Sequence, residues 1–187
     1  MISRLAPSAG KLLISEPFMN DPNFTRSVIL LTNYDADGTI GFVLNHPSLL
    51  KLDELITGIE GTDFPVYHGG PVAIDTIHFI HRCPEKIEDG VELLKGIYWG
   101  GDFDTLKLLM SQGEITKDDV KFFIGYSGWG VEQLAEEMQE NTWIVSDQYD
   151  SDMVFTATAE QLWKEVIIHL GPKYAHVSQF PKNPNLN

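Results

Sequence analysis

Apolar positions along the chain fall in short runs broken by glycine, proline, asparagine and aspartate. Leu12 to Ile14 reads as a short buried strand, and after the break at Asn20 to Asn23 the run from Ser27 to Thr32 reads as a second. Asp37-Gly38 is a favoured tight-turn pair between that run and Thr39 to Leu44, so an antiparallel hairpin is predicted there. The stretch Asp35 to Gly38 is read as this turn and not as a calcium loop, because its glycine comes two positions too early for an EF-hand and no helices flank it. Further on, Pro65 to His68, Thr76 to His81, Ile97 to Trp99 and Trp143 to Ser146 are rich in strand formers.

Helical spacing appears in fewer places. Leu49 to Ile56 has a short helical pattern, closed by Gly58 and Gly61. Asp102 stands at an N-cap position before Leu106, Leu109 and Met110, which recur at the interval of a packed helix face. Thr158 and Gln161 form a capping-box pattern for a helix running to Leu170, where Gly171-Pro172 stops it. Between these, Lys121 to Tyr126 reads as a buried strand, Gly125 to Gly130 as a glycine-rich turn carrying Ser127 and Trp129, and the residues from Val131 to Met138 as a helix. No internal repeat or linker divides the chain, so one domain over 1–187 is predicted, with a frayed tail from about Lys182.

Composition narrows the class. The 43% apolar and 21% charged residues are those of an ordinary globular protein with a real core. No apolar run approaches the ~18 residues of a membrane span, and no secretory leader is legible near Met1, which predicts a cytoplasmic protein without membrane contact. The formal charge of −14, from 27 acidic and 13 basic residues, opposes direct binding to nucleic acid. The lone Cys83 cannot close an internal disulfide.

The candidate chemistry is thin. Gly125-Tyr126-Ser127-Gly128-Trp129 approaches the serine elbow of hydrolases but has tryptophan where the last glycine belongs, which leaves a hydrolase using Ser127 as an alternative reading only. The order of glycines also inverts the dinucleotide fingerprint, and Gly10-Lys11 lacks the rest of a phosphate loop. An anion could meet the backbone near Gly128 to Gly130 at the start of the following helix. His78 and His81 would share a face only in a helix, and their β-rich setting predicts a strand, so no metal site is assigned. No cofactor is implied.

Several islands together resemble the AlgH/YqgE-like family of bacterial proteins. They are Gly10 to Ser15 with Pro17 and Met19, Asp21 to Phe24 with Arg26 to Val28, Gly41 to Asn45 with Pro47, Gly69 to Val72, and Gly125 to Gly130 with Gln133-Leu134. The family usually has arginine where this chain has His46, and glycine where it has Glu132. The resemblance implies an α+β fold, a single domain with mixed, branching β-sheets, part of them a small barrel, surrounded by helices. It implies no established reaction, although the family has been connected with transcriptional regulation through its AlgH member. The resulting expectation is a non-enzymatic binding or regulatory module, with indirect transcriptional control through a protein partner as the alternative. Its ligand or partner groove is expected around Asn45, His46, Gly69, Gly70, Tyr126, Ser127, Gly128 and Trp129.

Overall fold

A computed structural model describes residues 5–180, so the tail expected to fray from Lys182 lies outside the described residues. The chain begins with β1 (Leu12–Ser15), β2 (Val28–Asp35), β3 (Gly38–Val43), β4 (Pro47–Lys51), the one-turn helix α1 (Leu52–Leu55), β5 (Pro65–His68) and β6 (Val72–His81). It continues through β7 (Val91–Leu94), β8 (Ile97–Trp99), α2 (Phe103–Ser111), β9 (Val120–Trp129), α3 (Gln133–Gln139) and β10 (Trp143–Ser146). Helices α4 (Ser151–Thr156), α5 (Ala159–His169) and α6 (Pro172–Ala175) close the order, with a 3-10 turn at His176–Gln179. Among the described residues no helix is long and apolar enough to cross a membrane.

The strands form one branching sheet in the order β10-β1-β2-β3-β9-β6-β8-β7, with β5 also joined to β9 and β4 to β5. The β5–β9 pairing is parallel and the others are antiparallel, so the sheet is mixed as well as branched. This is the α+β single domain that the resemblance implies, except that the strand path stays open and no ladder among the described residues closes the barrel-like part.

Strand β9 makes the branch possible. Its first half pairs with β5 and β6 (Phe123 faces both Tyr67 and His78), and its second half pairs with β3 through Gly41↔Ser127, Ile40↔Gly128 and Thr39↔Trp129. Gly125, between the Ile77↔Ile124 and Val72↔Tyr126 pairs of the irregular β6 ladder and just before the β3 ladder begins at Ser127, has a φ of 64°, in the left-handed region that glycine adopts without strain. The glycine-rich turn expected at Gly125–Gly130 is therefore largely strand: the β3 ladder holds Ser127 to Trp129 extended, and the helix begins only at Gln133. Glycines that read as a turn permit close pairing here instead.

Both faces of the β10-β1-β2-β3 part are covered, which explains the uninterrupted apolar run of β2. On one face Leu12, Ile14, Val28, Leu30 and Phe42 pack with Val154, Leu162, Trp163 and Ile167 of α4 and α5. On the other, Leu13, Ile29, Leu31 and Val43 pack with Leu134 of α3 and with Trp129 and Trp143. Around the β5-β9-β6 part, Leu106 and Met110 of α2 fill the core with Val66, Phe79 and Phe122.

The predicted hairpin at Asp37-Gly38 forms, with Asp35 opposite Gly38. Asp102 caps α2 by accepting from the Asp104 and Thr105 amides, and Thr158 caps α5 by accepting from Gln161 N. The helix expected from Leu49 does not start there: Leu49 and Leu50 lie exposed on β4, and only Leu52 of the following turn is buried among its helical residues.

Candidate functional site

Antiparallel pairing of β2 with β3 sets Ile29 opposite Val43, so the chain entering β2 runs beside the chain leaving β3. Asn45 fastens the two together. Its side-chain amide accepts from Val28 N at 2.9 Å and donates to Arg26 O at 2.8 Å, both inside the protein. This grip holds Arg26 at a φ of 49°, a left-handed conformation that a non-glycine residue adopts only when its surroundings fix it. Ser27, next in the chain, is fixed by Ser15, whose Oγ accepts from its amide at 2.8 Å.

The result is a buried arginine, 9% exposed, at the wall of a cavity. The guanidinium carbon lies 4.8 Å from the centre of the Trp163 ring, and Nη2 donates to the carbonyl of Phe180. Its Nε is buried without a hydrogen-bond partner, and among the described residues no carboxylate pairs with it. Trp163 in turn donates its indole N–H to Ser15 O at 3.3 Å, which fixes the surface on which the guanidinium lies. His46 stands beside it, with Nε2 3.1 Å from Thr25 O and 3.2 Å from Ser27 Oγ. A carbonyl oxygen only accepts, so the tautomer that makes the first bond carries its hydrogen on Nε2.

The cavity has a volume of about 660 Å³ and lies between the entry to β2, the exit of β3, the first turns of α5 and the segment 178–180. Trp163 and Lys164 reach it from the same side of α5 as Ala159 and Glu160. Its lining thus offers the aromatic rings of Trp163 and Phe180, the cations Arg26 and Lys164, and one exposed carboxylate, Glu160.

The eight residues read from the sequence as one groove separate in the structure. Asn45 and His46 line the cavity just described, whereas Tyr126, Gly128 and Trp129 line a recess of about 360 Å³ with Thr39, Ile40 and Val72. Gly69 and Gly70 lie against the backbone of β9: a Cβ on Gly69 would come within 2.4 Å of Gly125 O, and one on Gly70 within 2.3 Å of Ser127 N. Ser127 is fully enclosed and donates its hydroxyl to Gly69 O at 2.9 Å. That bond joins the loop to the sheet, and its geometry does not present a nucleophile. The anion contact considered near Gly128–Gly130 also changes character, because Gly128 is paired in β9 and Glu132 occupies the N-cap of α3.

Other chemistry-bearing groups are equally enclosed. Cys83 Sγ approaches His81 Nδ1 at 3.9 Å, but burial, with Asp119 and Glu85 nearby, pushes the thiol up to about 11, far from a reactive thiolate at neutral pH. Burial alone lowers Lys121 to about 7, with its ammonium donating to Val154 O at 3.1 Å and lying 4.2 Å from the centre of the Tyr67 ring. His78 and His81 both lie on β6, three residues apart in an extended chain, as their setting predicts.

Arg26, Trp163, Lys164 and the 178–180 segment were not part of the groove read from the sequence. One signal for Arg26 was present. It opens the family island Arg26 to Val28, and the β2–β3 register, continued two residues past Ile29↔Val43 to Ser27 and Asn45, then sets it beside His46.

A family profile described as DUF179: AlgH-like matches residues 12–175. A UPF0301 protein of Bacteroides fragilis is 40% identical over 186 residues, covering 99% of this chain and 94% of the relative. A UPF0301 protein of Chlorobium limicola is 39% identical over 178 residues, 95% of each chain. Among solved structures, the AlgH protein of Pseudomonas aeruginosa aligns with a TM-score of 0.71 at 24% identity, covering 96% of this chain and 98% of that one. A Corynebacterium diphtheriae protein aligns with a TM-score of 0.78 at 23% identity over 96% of this chain and 95% of the other. Both structures share the fold.

Proposed function

This chain belongs to the AlgH-like family, and from its geometry we propose that it is a non-enzymatic binding module whose ligand enters the cavity beside Arg26, His46 and Trp163. The observation that carries this reading is the cavity itself. Its volume of about 660 Å³ falls within the roughly 300–1,000 Å³ of small-molecule sites, and its walls combine an aromatic face with a few fixed polar groups. Four separate chain segments meet there, so a ligand could bias their packing and make the protein a regulatory element in the cytoplasm. Ser127 gives hydrolysis no comparable support, because its enclosed hydroxyl already serves the Gly69 carbonyl.

The test is a metabolite screen read through the indole N–H signals of Trp163 and Trp129, which mark the two recesses separately. A ligand of this module shifts Trp163 and raises the unfolding temperature, because it binds the folded state alone. Hits that move only Trp129 would transfer the site to the Tyr126–Trp129 recess. A screen in which neither indole responds would sink the proposal.

A further inference from the structure

The cavity's most unusual member is its arginine. A guanidinium largely withdrawn from bulk water into a cavity wall is ordinarily matched by a carboxylate, since an unmatched charge becomes costlier to carry as it is desolvated. Arg26 is 9% exposed, and among the described residues it meets an aromatic face and a backbone carbonyl but no acid. Neither contact neutralises a full charge. Lys164 adds a second cation to the wall of the same cavity, one turn of α5 from Glu160, and makes no ion pair among the described residues.

The backbone adds to this field. Helix α5 spans 11 residues and starts at the cavity, with Ala159 at its first position lining the wall. The N–H groups of a helix's first turn lack intrahelical partners and carry partial positive charge. Thr158 accepts from only one of them, that of Gln161. Two side-chain cations and a helix start therefore converge on one volume in a chain whose net charge is −14. Glu160 is the one carboxylate at the wall, and it is exposed at the rim where water screens it.

We propose that this cavity takes a small organic anion, its oxyanion head group facing Arg26 and Lys164 and its apolar body lying against Phe180 and Pro47. This rests on the cavity being the ligand site. The Nε of Arg26 is closed off, so the head group meets the guanidinium at its cavity edge, and charge neutralisation rather than a full bidentate fork supplies the affinity. The departure from arginine at position 46 does not remove the cation the site needs, because Arg26 stands beside His46 and provides it.

The experiment titrates the full chain with three probes of one shape, benzoate, phenyl phosphate and neutral benzamide, following the Trp163 indole N–H. The expected result is saturable binding of the two anions and none of benzamide at the same concentration; whichever anion binds tighter separates a carboxylate from a phosphate head group. Lys164→Ala, an exposed position that leaves the fold intact, weakens the anions by about threefold. Arg26→Lys, which keeps the charge but loses the planar group on Trp163, weakens them by about tenfold. Binding of benzamide as tight as the anions, or anion affinity unchanged in both variants, would overturn the anion assignment and leave a ligand cavity of another class. No response of Trp163 to any probe in the folded protein would remove the anion site, and if the metabolite screen is also silent there the cavity reading falls with it.

Discussion

Lys121 is the second residue of β9, its ammonium is sealed under α4, and burial is what shifts its titration. In the folded protein it titrates at about 7, whereas the unfolded chain binds the same proton up to about 10.5. Between these values the unfolded state holds more protons, so this residue makes stability climb as pH rises from 7 to 10.5. Below 7 both states are charged and the full desolvation penalty applies. Lys121→Met should therefore stabilise the protein by a few kcal/mol at pH 6, less the roughly 1 kcal/mol lost at the Val154 carbonyl, and the difference should vanish near pH 10.5. Urea denaturation of both proteins across that range measures it, and a pH-independent difference would show that packing, not protonation, sets the effect. Glu137 works in the opposite way, as a carboxylate that partners need. Its Oε2 accepts from the indoles of Trp129 and Trp143 at 2.9 and 2.7 Å, and those rings stand edge-to-face with Phe24 beside them. Glu137→Ala leaves two largely buried donors unmatched and should lower stability by about 2–4 kcal/mol in chemical denaturation, with a changed tryptophan emission in the folded state.

At the scale of elements, the fold hangs on how closely the loop after β5 approaches β9. A methyl on Gly70 would meet three backbone atoms of Tyr126 and Ser127 at 2.3 Å, none of which a side-chain rotation can clear. Gly58 has a φ of 88° but nothing within 4 Å of the same added atom. Gly58→Ala should thus lose only the conformational term, about 1 kcal/mol, and Gly70→Ala more than about 4 kcal/mol, because the branch at β9 must open. Equal losses in denaturant midpoints would contradict the close approach. The same contrast explains what the sequence could tell. Elements with their own local signal were readable: Asp37-Gly38 for the hairpin, Asp102 for α2, Thr158 for α5. Strand β7 is four residues long with no alternation, and β4 hid behind Leu49, Leu50, Leu52 and Leu55, whose helical spacing is overridden by the ladder to β5. Strand β9 beyond Gly125 was misread as a turn because its extended state comes from β3, eighty-odd residues earlier, and not from its own glycines. Helix α4 did carry a local cue, Asp150 accepting from Met153 N, that a six-residue element without a clear apolar period does not make decisive. The candidate site followed the same division, with Asn45 and Arg26 standing in family islands, His46 marked as a departure from one, and Trp163 and Phe180 brought to them only by tertiary packing.

For the molecule as a whole, charge sets two opposing salt dependences. An excess of 14 negative charges makes the compact state repel itself, and among the described residues the favourable pairs are few, Arg82 with Asp152 and Lys107 with Asp104. Added salt shortens the reach of that repulsion, from about 30 Å at 0.01 M to about 10 Å at 0.1 M, so it relieves many distant carboxylate pairs while weakening two surface bridges that contribute little. The unfolding temperature of the free protein should therefore rise between these two salt concentrations, by about 2–4 °C for each kcal/mol of repulsion removed. An oxyanion in the Arg26–Lys164 cavity feels the reverse, since its attraction to near cations is screened by the same ions. Its stabilising shift, measured as the unfolding temperature with phenyl phosphate minus that without, should shrink as sodium chloride is raised, while the baseline climbs. Both slopes come from one thermal series. A baseline that falls with salt would mean that specific ion pairs outweigh the net charge, and a ligand shift that grows with salt would mean that the cavity holds its occupant by apolar contact rather than through Arg26.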